Sequence, residues 1–159
     1  MHRAFRLATY LIASLAFACG QNGDDHNTGS EKTDSQGHAH AAKFGGTLVE
    51  IGDHFAQAEI VFDNETGLIT VYFWDGHVET PRRLKAKTIA ATVTTPTGDV
   101  EVALAAQADA LAGETIGNSS RFEAEVAALK GADAVKGSFG PLDFAGKIFA
   151  EVKFSAKAR

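Results

Sequence analysis

Ala56-Gln57-Ala58-Glu59-Ile60-Val61-Phe62, then Asp63-Asn64-Glu65-Thr66-Gly67, then Leu68-Ile69-Thr70-Val71-Tyr72-Phe73-Trp74-Asp75: two apolar, β-branched and aromatic runs are separated by a cluster of turn residues. Each run has strand length and strand composition, and the five residues between them carry the turn chemistry of a hairpin. The same rhythm extends in both directions. Strands are expected at 46–51, 54–62, 67–75, 83–95, 99–105, 120–127, 134–139 and 145–154, with a second clear turn at Thr95-Pro96-Thr97-Gly98. In the last run Ile148, Ala150, Val152 and Phe154 interleave with Lys147, Phe149, Glu151 and Lys153, and Phe122, Ala124 and Val126 alternate with Arg121, Glu123 and Glu125. The alanine-rich stretch 102–112 lacks a 3.6-residue stripe and reads as strand end plus loop, with room for a helical turn near Asp109. The expectation is an all-β domain over 44–159: a single two-sheet antiparallel sandwich of immunoglobulin-like size with seven or eight strands.

Upstream the composition changes. Residues 20–43 contain alanine as their only apolar residue, and such a segment cannot offset its ordering entropy by burial. Residues 19–43 therefore read as a disordered polar tether with a reach of roughly 25–30 Å. Before it, residues 1–18 have a basic start (Arg3, Arg6), an apolar run from Leu7 to Phe17 and small residues at Ala16 and Ala18, the layout of a secretory signal. The apolar run has 11 residues, whereas a helix crossing a bilayer takes ~20. Ala16-Phe17-Ala18-Cys19 resembles the bacterial lipobox, which implies acylation of Cys19 and a membrane-anchored domain outside the cytoplasm. Ordinary cleavage after Ala18, leaving a free thiol, is the alternative. In a Gram-negative host, Gly20 after the cysteine implies the periplasmic face of the outer membrane.

Gly45-Gly46-Thr47-Leu48-Val49-Glu50-Ile51-Gly52, His54, Ala58-Glu59-Ile60-Val61-Phe62-Asp63, Thr66-Gly67, Thr70-Val71-Tyr72 and Ser119-Ser120-Arg121-Phe122 together resemble uncharacterised exported bacterial lipoproteins of planctomycete type. These carry a small β-sandwich domain after a polar, His-containing tether. The likeness spans most of residues 44–154. A histidine often precedes the Gly-Gly pair in that group, and Phe44 takes its place here.

From Cys19 onward the chain holds 13 basic and 20 acidic residues, a net of −7, with no basic patch of the kind phosphate contacts require. Nucleic acid is not an expected partner; the expected ones are the membrane, through the lipid anchor, and an unidentified envelope protein or a metal ion. A single cysteine excludes an intramolecular disulfide. No nucleophile elbow, zinc-protease motif, phosphate loop or dinucleotide fingerprint is present, so the expectation is a non-catalytic envelope protein that requires no cofactor.

Histidine is the chemical lead. His38 and His40 put two imidazoles on the tether, suited to Cu(II), Ni(II) or Zn(II), and a bound Cu or Zn ion is the cofactor they would imply. His54 and His77 fall at one end of the 54–75 hairpin, beside Asp53 and Asp75. If residue 62 pairs with 68, then 54 faces 76 and 53 faces 77, so the two histidines point to opposite sheet faces. On that register the tether pair is the stronger metal candidate. Tyr72, Trp74, Phe62 and Phe73 read as core rather than as a ligand platform, and Arg82, Arg83, Lys85 and Lys87 as a charged strand edge.

Overall fold

The computed structural model describes residues 40–159, which form ten β-strands and no α-helix. They are β1 (Thr47–Ile51), β2 (Ala56–Asp63), β3 (Leu68–Asp75), β4 (Thr88–Thr95), β5 (Gly98–Gln107), β6 (Arg121–Glu125), β7 (Ala134–Phe139), β8 (Leu142–Phe144), β9 (Lys147–Phe149) and β10 (Val152–Lys157). The all-β expectation holds. The strands do not divide into two facing sheets, however: eight belong to one antiparallel sheet in the order β1-β2-β3-β6-β5-β4-β7-β10, and β8 and β9 make a separate ribbon. The large sheet curls until its ends nearly meet. Phe62 on β2 bridges Ala158 just past β10, and the Arg159 N–H donates to the Phe62 carbonyl at 3.1 Å.

The curl follows from the alternation of side chains. Registers place Ala58 opposite Phe73, Val71 opposite Phe122, Phe122 opposite Ala106, Ile89 opposite Leu104, Ala91 opposite Phe139 and Ala156 opposite Val135, so one face of every strand turns inward. Closing one sheet on itself buries that face without a second sheet and removes most of the exposed edge. Phe73 lies in the middle, its ring 5.9 Å from Phe122, 6.1 Å from Phe139 and 5.6 Å from Phe144 between centroids. The ribbon brings Leu142 and Phe144 into the core at one end. A 3-10 turn, Ala127–Leu129, brings Leu129 in near the Asp63–Gly67 loop, where Val126 N–H reaches the Gly67 carbonyl at 2.9 Å.

Several boundaries move. Residues 83–87 are not strand but a connection, in which only Leu84 bridges Ser119. Arg82 and Arg83 are accordingly not an edge: the Arg82 guanidinium lies over the Phe55 ring, and Arg83 donates to the Ala112 and Gly113 carbonyls. The run 145–154 breaks into β9 and β10. Ile148 is 64% exposed while Phe149 packs on the core, so the alternation changes phase before Val152. Position-by-position alternation cannot reveal such a break when both phases carry an apolar residue.

Candidate functional site

The β2–β3 hairpin positions the histidines. Asp63 pairs with Leu68, one residue away from the register expected from sequence, and Ala56 consequently pairs with Asp75. The ladder ends there, and His54 and His77 lie in the turns just beyond it, where strand parity no longer dictates which face each one points to. The carboxylate of Asp63 accounts for the shift. Its Oδ1 accepts the N–H of Glu65 at 2.9 Å and of Thr66 at 3.2 Å, making Asp63 both the last residue of the strand and the anchor of the turn.

His40 completes the group. Its ring centroid is 6.4 Å from that of His54 and 5.6 Å from that of His77, at steep edge-on angles of 81° and 84°. Three imidazoles on one tetrahedral ion at the usual ~2.0–2.1 Å bond length would have centroids roughly 5 Å apart. The His40–His77 distance is close to that spacing and the His40–His54 distance is longer, while the ligand atoms that already lie within 4.8 Å of one another are those of Glu50, Asp53 and His54. His54 and His77 are exposed and His40 is half-buried, so an ion has access.

The surroundings orient these ligands. Glu50 on β1 contacts His54 Nδ1 with Oε2 at 3.3 Å and accepts the His54 N–H with Oε1 at 3.2 Å. A carboxylate on Nδ1 leaves Nε2 for an ion, the usual division of labour around metal-bound histidine. Ligand atoms of Glu50, Asp53 and His54 lie within 4.8 Å of one another, so Asp53 offers a further oxygen on the same side. Asp75 does something else. Its Oδ1 accepts from the N–H groups of His77 at 3.2 Å and Glu79 at 2.9 Å, and its Oδ2 from that of Thr80 at 3.1 Å. Burial pushes this carboxyl up, but the backbone donors of Glu79, Thr80 and His77 together hold it below the ordinary value near 3.8. Asp75 shapes the loop that presents His77.

The backbone here is strained on both arms. His54 has φ 48° and Val78, buried beside His77, has φ 61°. A β-branched residue in the left-handed region is costly, by about 1–3 kcal/mol, and persists only where neighbours enforce it. Gly76 lets the arms touch: a Cβ at that position would sit 1.9 Å from the His54 carbonyl oxygen.

His40 reaches the hairpin because residues 43–46 are strapped across β2. Glu59, fully buried on the outer face of β2, takes the Lys43 N–H on Oε2 at 3.0 Å and the Phe44 and Gly46 N–H groups on Oε1 at 2.6 and 3.1 Å. Oε2 also accepts Trp74 Nε1–H at 3.2 Å. Gly45 turns the strap with φ 73°, and Gly46 lies so close that a Cβ would meet the Ile60 carbonyl oxygen at 2.6 Å. Phe44 then stacks on Tyr72 at 4.1 Å between centroids. Phe62 and Phe73 are core, as expected, whereas Tyr72 and Trp74 lie on the opposite face of the sheet beneath the strap.

Among the sequence candidates, then, His40, His54, His77 and Asp53 gather at the open end of the hairpin. Asp75 serves the loop, and His38 and Cys19 lie outside the described residues. Glu59 was missed. Its one sequence signal is an acid in the middle of an otherwise apolar strand. No family model, curated protein or solved structure matches this chain, so the site stands on its own geometry.

Proposed function

We propose that the protein is a transition-metal-binding module of the cell envelope, anchored to the membrane through Cys19, that holds Zn(II) or Cu(II) with His40, His54 and His77. The observation that carries this reading is the His40 ring set against both hairpin histidines. Imidazole suits these ions, and the described residues contain no cysteine or methionine that would favour a softer one. With Glu50 against Nδ1, the Nε2 of His54 is the nitrogen left for an ion, and Asp53 or a water can fill a fourth position. A surface site with one ligand on a strap favours reversible capture over permanent burial. Protons compete for the same nitrogens, so affinity falls as the solution is made more acidic.

Isothermal titration of Zn(II) and Cu(II) into the chain carrying Cys19→Ser tests this. Replacing His54 or His77 by alanine is expected to weaken binding at least tenfold, about 1.4 kcal/mol, and His40→Ala likewise. His38→Ala should change it little. Loss of binding with His38→Ala but not with His54→Ala or His77→Ala would place the ion on the tether alone and overturn the three-histidine site.

A further inference from the structure

A cavity of about 310 Å³, with none of the three histidines in its lining, opens between Phe44, Tyr72 and Trp74 and the polar side chains of Gln107, Asp109 and Arg121. The sheet itself builds the polar side. Tyr72 on β3 pairs directly with Arg121 on β6, and Arg121 pairs with Gln107 on β5. Three adjacent strands thus set a phenol, a guanidinium and an amide in a row across the sheet, at steps of ~4.8 Å. Asp109 closes the row from the loop after β5. Buried Glu114 fixes that loop by accepting from Ser120 N–H and Oγ–H at 3.1 and 2.6 Å. Phe44 is the apolar wall, stacked over Tyr72 and Trp74 with interplanar angles of 26° and 27° and still 46% exposed.

These features select a chemistry. Parallel rings in layers present one flat face, not the perpendicular walls that surround a quaternary ammonium, and Lys43 Nζ already lies 5.1 Å from the Trp74 ring centre. An anionic ligand would find Arg121 already countered by the Glu123 carboxylate, 3.6 Å from its Nε, and would meet the further acids Asp109 and Glu114 in the lining, of which Glu114 is paired with Arg83. A wholly apolar ligand would desolvate the Tyr72–Arg121–Gln107 row without replacing its hydrogen bonds. A ring with an apolar C–H face and hydroxyls at its rim satisfies both sides. We propose that this cleft binds a neutral saccharide, one pyranose ring lying on Phe44 and its hydroxyls meeting Arg121, Gln107 and Asp109. The site is separate from the histidine cluster and does not depend on metal.

Trp74, the only tryptophan in the chain, lies in the cavity wall and supplies the signal. Metal-free full-length protein is titrated with cellotetraose and with tetra-N-acetylchitotetraose, following Trp74 fluorescence and heat, with the amphiphilic, anionic dye anilinonaphthalene sulfonate in parallel. The expected result is saturable binding of at least one saccharide below about 10 mM, weakened at least fivefold by Phe44→Ala and by Arg121→Ala and retained by Phe44→Trp. The Phe44→Trp arm is followed by heat alone. Retention in Phe44→Trp separates stacking from any disturbance of the strap. No saturation with either saccharide, undiminished binding in both alanine variants, or saturable binding of the dye alone would overturn the proposal.

Discussion

At the scale of single residues, Asp75 controls how His77 is presented, because three backbone N–H groups of the loop depend on its carboxylate. A carboxyl held below its ordinary value in the folded protein contributes stability that is present above about 3.8 and is lost as pH falls through the lowered folded value. Asp75→Asn keeps one acceptor oxygen and loses the charge. It is expected to cost about 1 kcal/mol at pH 7, modest because the loop is solvated. The gap between the two proteins in urea unfolding should stay constant from pH 8 to pH 5 and close below pH 4. A gap that did not narrow at all as pH fell below about 3.8 would mean that the carboxylate charge is not what holds the loop.

At the scale of elements, the strap 43–46, which carries His40 at its upstream end, depends on one side chain of β2. Glu59 gathers three strap N–H groups and the Trp74 indole, and hydrogen bonds to a charged acceptor contribute about 1.5–3 kcal/mol each when intact. Glu59→Ala leaves those donors without a partner and opens space beneath Phe44. The expected outcome is a loss of at least about 3 kcal/mol in stability, a red shift of Trp74 emission as the indole meets water, and weaker Zn(II) binding because His40 is released. Glu59→Gln, which keeps the shape but cannot accept all four bonds, should fall between. Amide exchange across Lys43–Gly46 measures the release directly, and unchanged protection there in Glu59→Ala would show that Phe44 stacking alone secures the strap.

At the scale of the whole molecule, closure of the sheet rests on a few large aromatic side chains shared by distant strands. Phe73 meets rings from β6, β7 and β8, and Phe139 stacks on Phe154 at 4.5 Å between centroids. Phe73→Ala should cost about 3–5 kcal/mol, because its neighbours belong to strands already fixed by their ladders and cannot collapse into the cavity. A cost below about 1.5 kcal/mol in chemical denaturation would mean that the barrel centre repacks freely. The same closure decides what surrounds the two sites. Phe55, Phe144 and Phe149 cluster at the end of the barrel where His54 lies, giving the histidine loop a rigid base.

The strands themselves were legible in the chain, since turn residues and period-two alternation are local signals; β1, β2, β3 and β7 fall within two residues of where the alternation puts them. So was the list of histidines. Three features lay beyond it, each for a physical reason. The hairpin register turned on whether Asp63 ends the strand or begins the loop, and a slip of one residue reverses every facing downstream. One curled sheet and two stacked sheets present the same alternation along each strand, and only the order in which β3, β6, β5 and β4 pair decides between them. Finally, His40 belongs by composition to a polar tether and by position to the hairpin. Its place is set by Glu59, a residue 19 positions further along the chain whose carboxylate anchors the Lys43–Gly46 backbone, and a contact at that separation leaves no local trace in sequence.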